Sequence, residues 1–250
     1  MIGVILAAGM AKRLRPLTAT KPKCLLTVGD KTLLQRTVDA IHQTGITEFL
    51  VITGYCADQI RDFLTTHYNS RPSTVNGQQS PVTFRFIHNA DYEHNNNIYS
   101  LWLAMREVRG RDVLLMDSDI LCDPAAVVRV AAENGPALAV NRHELAEEEM
   151  KVVVDSDGRI TEISKTCKPA DAMGESVGIE HITPDYGRAL ADELDLMIEK
   201  EGLIDIFYER AFERLIPQGH TFKVIDTTEF FSYEIDTPED YERAKALFLS

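Results

Sequence analysis

The sequence predicts an α/β fold in which a mixed, mostly parallel sheet is flanked by helices. Two observations support this prediction. Apolar segments of strand length alternate with amphipathic helical patterns through the first half of the chain, and the second half adds a hairpin and further helices. With 250 residues, of which 44% are hydrophobic, the chain can bury the core that such a sheet needs. We therefore expect one domain over residues 1–250, made of the halves 1–134 and 135–250.

The elements of the first half follow in alternation. Apolar runs predict strands at 2–7, 48–53, 82–88 and 112–117. Apolar residues at helical spacing predict a first helix from Leu33 that ends at Gly45, and further helices at 57–67, 98–108 and 124–133. The segment "YNSRPSTVNGQQSP" at 68–81 is predicted as a surface loop because it is rich in Ser, Asn, Gly and Pro. Such alternation is typical of parallel strands joined by crossover helices.

The pattern changes after about residue 135. The segment "KVVVDSDGRITEIS" reads as two strands around an Asp-Ser-Asp-Gly turn, which predicts a hairpin. Helices are expected at 184–201 and 204–216 and a strand at 221–226. The last helix should begin with Thr237 as its N-cap and Pro238 as its first residue. We interpret this half as a substrate-shaping addition to the sheet.

Charge and cysteine content exclude several classes of function. The chain has 26 Lys and Arg against 39 Asp and Glu, and its net charge of −13 argues against general binding of nucleic acid. Four widely spaced cysteines predict neither a zinc site nor a disulfide framework, and they indicate a reducing, cytoplasmic compartment. No secretion signal or membrane span is predicted, so no membrane partner is expected.

One basic segment stands out against this acidic background, and it directly follows the first strand. Its small-residue turn Ala7-Ala8-Gly9 is followed by five cations: Lys12, Arg13, Arg15, Lys21 and Lys23. Ligands of open α/β sheets bind at the carboxyl ends of the strands, which places this segment at the expected site. The glycine patterns of P-loops and of dinucleotide-binding loops are both missing. Leu14, Leu17, Leu25 and Leu26 should pin the loop to the body of the protein, so we predict a rigid triphosphate site.

The segment "LAAGMAKRLRPLTATKPKCLL" resembles the N-terminal signature of the sugar-nucleotide pyrophosphorylase superfamily, whose members are nucleotidyltransferases. Further segments follow in the family's order: "VITGY", "MDSDI", the hairpin, "GESVGI" and "YEIDTPEDYERA". One departure is Ala11, which stands where the pattern usually has its second glycine. The resemblance implies a Rossmann-like fold of the nucleotide-diphospho-sugar transferase type, with a nucleotide-binding half at 1–134 and an acceptor-binding half at 135–250.

The resemblance also implies a role for each group. Arg13 reaches the departing pyrophosphate, Lys23 lies beside the α-phosphate, and Lys165 grips the acceptor phosphate. The first-strand residues that contact the nucleotide are Leu6, Ala7, Ala8 and Gly9. Carboxylates at strand ends suit Mg²⁺, and Asp119 and Asp236 align with the family's metal pair, with Asp117 as a helper on the nucleotide side.

The acceptor is indicated by "NADYEHNNNIYSLW", which resembles the branch that makes CDP-choline from phosphocholine, shared with enzymes that act on 2-aminoethylphosphonate. Asn89, Asn97 and Ser100 are then expected to read the pyrimidine of CTP, whereas Trp102 is expected in the core. A quaternary ammonium is recognised by aromatic faces and carboxylates. The candidates for that role in the second half are Tyr208, Phe230, Phe231, Tyr233, Glu175, Glu180, Glu229 and Glu234, of which Glu180, Tyr208, Tyr233 and Glu234 are the principal ones.

These residues predict a Mg²⁺-dependent cytidylyltransferase that uses CTP and phosphocholine. Four alternatives stay open: a 2-aminoethylphosphonate cytidylyltransferase, a sugar-1-phosphate nucleotidyltransferase, a regulatory subunit that binds nucleotide without catalysis, and a dinucleotide-binding module. The intact set of Arg13, Lys23, Asp119 and Asp236 argues against the regulatory subunit, and the missing glycine pattern argues against the module. Assembly into a homo-oligomer is left open by the sequence.

Overall fold

The computed structural model describes residues 1–69, 73–75 and 78–247. Its strands are β1 (Ile2–Ala7), β2 (Thr27–Val28), β3 (Lys31–Thr32), β4 (Glu48–Thr53), β5 (Ser73–Val75), β6 (Gln78–Ser80), β7 (Thr83–His88), β8 (Val113–Asp117), β9 (Ile120–Cys122), β10 (Ala137–Asn141), β11 (Lys151–Val154), β12 (Ile160–Ser164), β13 (Gly174–Ile182), β14 (Lys223–Asp226) and β15 (Ser232–Glu234). Its helices are α1 (Leu33–Gln43), α2 (Ala57–Asn69), α3 (Asn97–Val108), α4 (Pro124–Ala131), α5 (Pro184–Asp195), α6 (Glu209–Leu215) and α7 (Pro238–Leu247). Among the described residues, no helix is both long and apolar enough to cross a membrane.

The main sheet is mixed and runs in the order β12-β11-β13-β8-β1-β4-β7, while β10 pairs with β13 and with β14. The strands of the first half are parallel, since β1 pairs in parallel with both β4 and β8, and β4 pairs in parallel with β7. The second half joins the same sheet through β13, which pairs antiparallel with β8. The predicted α/β fold with a mixed sheet flanked by helices is therefore confirmed.

Alternation along β1 divides the core between the two faces of the sheet. Ile2, Val4 and Leu6 pack on the face covered by α3, α5 and α6. Ile5 and Ala7 pack on the opposite face, against residues of α1, α2 and α4. Because all six residues of β1 are buried, the strand is apolar throughout, as a central strand covered on both faces must be.

A third, smaller cluster holds the basic loop against the body of the protein. Leu14 and Leu26 are buried in it with residues of β9 and α7. Leu25 is buried in the core beneath α1, whereas Leu17 is 37% exposed, so the prediction that Leu17 pins the loop is wrong. Trp102 is packed in the core as predicted, and its indole Nε1 donates to Asp195 at 2.8 Å.

Several predicted boundaries differ from the observed ones. The helix expected at 204–216 begins only at Glu209, because the preceding residues form bends and turns and Ile204 accepts a backbone hydrogen bond from Asn96. The helix expected at 184–201 is α5 followed by a π-helical segment at Leu196–Lys200. The loop expected at 68–81 contains the paired strands β5 and β6; residues 70–72 and 76–77 of that prediction lie outside the described residues.

The predicted start of the last helix is confirmed in detail. The Thr237 hydroxyl accepts from the Asp240 backbone N–H at 3.2 Å, and the Asp240 carboxylate accepts from the Thr237 backbone N–H at 2.9 Å. This reciprocal capping satisfies two helix-terminal donors and fixes the chain direction just after Asp236. Strands β10 and β13 were not among the predicted strands.

Candidate active site

A cavity of about 510 Å³ opens at the carboxyl ends of β1 and β8. The two strands are in parallel register, with Leu6 opposite Asp117, so the small-residue turn after β1 faces the acidic turn after β8. The residues lining the cavity include Ala7, Ala8, Gly9, Arg13, Lys23, Asn89, Tyr92, Glu93, Asn95, Asn97, Ser100, Asp117, Asp119, Phe207, Glu234 and Asp236. The cavity therefore lies where a ligand of a parallel sheet is expected.

The loop after β1 approaches its neighbours very closely. A side-chain carbon built on Gly54 would lie 2.6 Å from the carbonyl oxygen of Ala8, so only glycine fits there. Ala11 adopts a left-handed conformation with φ of 45°. This is the conformation for which glycine is favoured, so the loop keeps that geometry despite the alanine. The Thr18 hydroxyl donates to the Ala11 carbonyl at 2.9 Å and holds this turn in place.

Lys23 lies almost fully buried on a short 3₁₀ turn at one wall of the cavity. Its ammonium is 3.0 Å from Asp119 Oδ2 and 2.8 Å from Asp236 Oδ1. Burial lowers the pKa of Lys23, but the charges of Asp119, Asp236 and Glu234 outweigh it, and the net pKa lies above its usual value. The ammonium is thus fixed at a point where negative charge converges.

Arg13 reaches the same carboxylate from the solvent side. Its guanidinium forms an ion pair with Asp236 Oδ2, while its side chain remains 71% exposed. Asp236 therefore lies between a buried ammonium and an exposed guanidinium. An exposed guanidinium at the mouth of the cavity has donors free to turn towards an incoming anion.

Three carboxylates from distant parts of the chain meet beside Lys23. One oxygen each of Asp119, Glu234 and Asp236 lies within 4.8 Å of the others. They converge because β15 pairs with β9, which places Glu234 opposite Ile120. Desolvation in the cavity, together with the charges of Asp119 and Asp236, raises the pKa of Glu234 to about 8. Hard carboxylate oxygens at this spacing fit a divalent cation such as Mg²⁺.

Glu234 was expected to bind the acceptor, and its place among these carboxylates was missed by the sequence analysis. The pattern "YEID" places Glu234 and Asp236 two residues apart on a strand, hence on one face, and this signal could have found it.

Asp117 faces the cavity in front of a buried acidic cluster. Tyr208 Oη lies 3.1 Å from Asp117 Oδ2 and 3.4 Å from Glu180 Oε1, and its single proton can be donated to one of them at a time. Burial raises the pKa of Asp117, and the negative charges of Asp119 and Glu209 raise it further. Burial also raises the pKa of Glu180. Neither Glu180 nor Tyr208 has exposed surface, so the expectation that they touch an acceptor is wrong for this conformation.

Asparagine side chains form the opposite end of the cavity. Asn89 is buried, and its Nδ2 donates to Asn95 Oδ1 at 2.9 Å and to Ser100 Oγ at 3.2 Å. Asn95 Nδ2 in turn lies 3.2 Å from Asn89 Oδ1. Asn97 accepts from the Tyr208 backbone N–H at 3.0 Å. The structure thus brings the three predicted nucleotide residues together, and it adds Asn95, which the sequence analysis missed.

Lys165 is not among the residues that line the cavity, but it contacts one of them. Its Nζ is 4.3 Å from the ring centroid of Phe207, which lines the cavity. Phe207 was not predicted as a site residue. Its side chain is 42% exposed, and no sequence pattern indicates that this aromatic residue stays outside the core.

The aromatic residues predicted to surround a quaternary ammonium are not brought together. Phe230 stacks under Arg129, with 4.4 Å between the guanidinium carbon and the ring centroid, and Glu229 pairs with the same arginine. Phe231 is exposed at the edge of β15, and Tyr233 donates its hydroxyl to Asp240 at 2.8 Å. The prediction that they form the acceptor pocket is wrong, because the loop between β14 and β15 packs beside α4 and away from the cavity.

Comparisons with known proteins show which family and which solved structures the chain resembles. The profile of the nucleotidyl transferase family matches residues 2–177. A CMP-5'-(3-aminopropyl)phosphonate synthase of Streptomyces rubellomurinus is 25% identical over 98% of this chain, although the match spans only 38% of that relative's length. A choline-phosphate cytidylyltransferase of Streptococcus pneumoniae is 24% identical, with 99% of this chain and 98% of that protein covered. The solved structure of a CTP:phosphocholine cytidylyltransferase from Streptococcus pneumoniae superposes with a TM-score of 0.79 at 22% identity, covering 98% of each chain.

Proposed function

The chain belongs to the nucleotidyl transferase family, and on that premise we propose that it transfers CMP from CTP to a small phosphorylated amino-alcohol, with phosphocholine as the first candidate. An oxygen of the acceptor phosphate attacks the α-phosphorus of CTP in line. The bond from that phosphorus to the oxygen bridging to the β-phosphate breaks, and pyrophosphate leaves with the electron pair. A phosphomonoester has its second pKa near ~6, so the attacking oxygen is largely anionic at neutral pH and needs no general base.

The demands of such a reaction are positioning and charge neutralisation, and residues of the first half supply both. The backbone of Ala7, Ala8 and Gly9 lines the cavity and offers close approach to the phosphates. In our proposal, Lys23 neutralises the charge that builds up at the α-phosphorus. Arg13 is exposed at the mouth and takes the pyrophosphate through its fork of donors.

Asp119 and Asp236, with Glu234 beside them, would hold the Mg²⁺ ion that we propose as cofactor. When bound, Mg²⁺ supplies charge neutralisation for the phosphate oxygens. Lys23 and Arg13 compensate two of the three carboxylates, while burial and the charges of Asp119 and Asp236 raise the pKa of Glu234 to about 8, so a bound cation would favour the ionised form of the third.

The asparagine end of the cavity suits the base of CTP. Asn89, Asn97 and Ser100 are proposed to face the pyrimidine, with Asn95 holding the amide of Asn89 in one orientation. Amide and hydroxyl groups offer both donors and acceptors, which reading the polar edge of cytosine requires. A buried asparagine with fixed partners discriminates by leaving a polar group unpaired against the wrong base.

The acceptor end supports two candidates. Phosphocholine is proposed because a choline-phosphate cytidylyltransferase is among the relatives that match this chain over nearly the whole length of both proteins. An aminoalkylphosphonate such as 2-aminoethylphosphonate is the second candidate. The observation in its favour is that the predicted aromatic set lies elsewhere, while the carboxylate of Glu234 lines the cavity and Phe207 lies under Lys165. A primary ammonium can donate hydrogen bonds to a carboxylate, whereas a quaternary one cannot.

The observation that carries the proposal is the Lys23 ammonium held between Asp119 and Asp236 beside the loop after β1. The test is release of pyrophosphate with CTP or UTP, Mg²⁺ and one of three acceptors: phosphocholine, 2-aminoethylphosphonate or glucose 1-phosphate. We expect kcat/KM for phosphocholine to exceed that for glucose 1-phosphate by at least about tenfold, which corresponds to about 1.4 kcal/mol.

Each other outcome assigns a different function. A preference for 2-aminoethylphosphonate would mean that the chain is a cytidylyltransferase whose acceptor ammonium is bound by a carboxylate. Preference for glucose 1-phosphate, or for UTP, makes the chain a sugar-1-phosphate nucleotidyltransferase. If the chain binds CTP but releases no pyrophosphate with any of the three acceptors, it is a regulatory subunit without catalytic activity.

A further inference from the structure

Lys151 is the first residue of β11, and its side chain is fully buried, with 1% exposure. Its ammonium donates to three backbone carbonyl oxygens: that of Glu147 at 2.8 Å, that of Glu149 at 3.2 Å and that of Lys165 at 2.8 Å. None of the ion pairs in the described part of the chain involves this lysine. Three donors thus meet three carbonyl acceptors, with no carboxylate taking part.

This arrangement of a buried ammonium costs folding free energy, which raises the question of what its geometry contributes. Burying an ammonium without a counter-ion carries a large desolvation penalty, which carbonyl dipoles offset only when every donor is used. A methionine of similar length would fill the same space without that penalty. What the lysine adds is a side-chain link between the two ends of one hairpin, the loop before β11 and the turn after β12, beyond the backbone pairing of Lys151 with Ser164.

The linked segments do not line the cavity, but the turn after β12 reaches a residue that does. The turn after β12 carries Lys165, whose ammonium lies on the ring of Phe207 in the cavity wall. The loop before β11 carries Glu149, which lies 3.9 Å from His143 Nδ1, and His143 Nε2 lies 3.0 Å from Glu175 Oε2. Burial raises the pKa of Glu175 on β13, and the charge of Lys165 opposes this rise, so Lys165 also acts on the carboxylate that His143 contacts.

We propose that Lys151 is a positioning residue for the acceptor: its ammonium ties the carbonyl of Lys165 to those of Glu147 and Glu149 and so fixes the place of the Lys165 side chain at the acceptor end of the cavity. The inference rests on the proposed cytidylyl transfer. Lys151 touches no reacting atom and acts through Lys165. Its loss therefore weakens acceptor binding and leaves the nucleotide end, which is built from the first half, unchanged.

The test compares Lys151→Met with the parent enzyme, with KM for phosphocholine and KM for CTP measured separately under saturating second substrate. We expect KM for phosphocholine to rise about tenfold and KM for CTP to stay within about twofold. Lys223→Met is the matched control, because Lys223 is an exposed lysine on β14 that pairs with Glu133 outside the cavity, and it should leave both values unchanged. Lys151→Gln, whose amide keeps two donors, should give an intermediate KM for phosphocholine.

A double-mutant cycle with Lys165→Ala tests the route of the effect. If Lys151 acts through Lys165, Lys151→Met should change KM for phosphocholine by less than about twofold in the Lys165→Ala background. Equal rises in both KM values, an additive cycle, or loss of folding in both Lys151 variants would make Lys151 a structural residue and overturn the inference. A parent enzyme that releases no pyrophosphate with any acceptor would instead overturn the proposed function.

Discussion

Lys23 Nζ lies 2.8 Å from Asp236 Oδ1, although the two residues are 213 positions apart in the sequence. The ammonium serves as counter-ion to the carboxylates when no nucleotide is bound, and it stands at the edge of the cavity where phosphates would enter. A group that is held in place before the substrate arrives costs no reorganisation during the reaction. The proposed catalytic cation and the proposed metal ligands therefore form one preorganised unit.

The first prediction concerns turnover. Lys23→Ala should lower kcat by roughly a hundredfold or more and change CTP affinity far less, because the ammonium acts mainly on charge that develops in the transition state. Steady-state kinetics and equilibrium binding of CTP measure the two effects separately. Lys223→Ala removes an exposed lysine outside the cavity and should match the parent. A kcat within about threefold of the parent would show that Lys23 has no catalytic role.

The second prediction concerns the carboxylates. Asp119→Asn and Asp236→Asn should each abolish activity at ordinary Mg²⁺ while the thermal melt stays close to that of the parent, because each substitution removes charge without removing volume. Asp185→Asn, at an exposed position of α5, is the matched control. Full activity of Asp236→Asn would reduce Asp236 to a turn residue before α7.

Local signals explain what the sequence could predict of this site. The turn after β1, Lys23 and Asp119 lie within short segments whose spacing is itself informative, and the structure places all of them around one cavity. The two-residue spacing of Glu234 from Asp236 is a local signal, but only the pairing of β15 with β9, which is not predictable from so short a strand, brings Glu234 to Asp119. Phe207 faces the cavity only because α6 begins late, at Glu209.

In the fold, too, elements with a local sequence pattern were predicted, and elements that depend on long-range pairing were not. Strand β1 is apolar at every position and was predicted within its observed bounds. Strand β13 contains Gly174 and Gly178, with Gly178 at φ of 72°, and glycine within a strand weakens the pattern by which strands are recognised. Its place in the sheet depends on pairing with β8 and β10, which composition does not encode.

The third prediction concerns the departure at Ala11. Ala11→Gly should stabilise the protein by up to about 1 kcal/mol, because a left-handed alanine is strained and the gain exceeds the extra freedom of glycine in the unfolded chain. Ala189→Gly, in the middle of α5 where glycine brings no relief, should destabilise by about 1 kcal/mol. Denaturant midpoints measure both changes, and equal losses in the two variants would contradict strain at Ala11.

The fourth prediction concerns choice of base. Asn95→Ala should reduce the preference for CTP over UTP by roughly fivefold, because the Asn89 amide loses the partner that fixes its orientation, a loss worth about 1 kcal/mol. Ratios of kcat/KM for the two nucleotides measure it. Asn134→Ala, at an exposed position, is the control for the substitution. An unchanged ratio would mean that Asn89 does not read the base.

The last prediction concerns the buried acid of α6. Burial raises the pKa of Glu209 to about 7 from a usual value of 4.5, and its Oε2 has no hydrogen-bond partner among the described residues. Between these two pH values the unfolded chain releases this proton while the folded chain retains it, so stability falls as pH rises, by at most about 3 kcal/mol, and is level above the folded pKa. Glu209→Gln removes the cost. Its melting temperature should exceed that of the parent by a margin that grows from pH 5 to pH 8, with Glu239→Gln on α7 as the control for the substitution. A margin that is the same at both pH values would show that Glu209 is ionised in the folded protein as readily as in the unfolded chain, because the positive charge of Lys165 offsets the effect of burial.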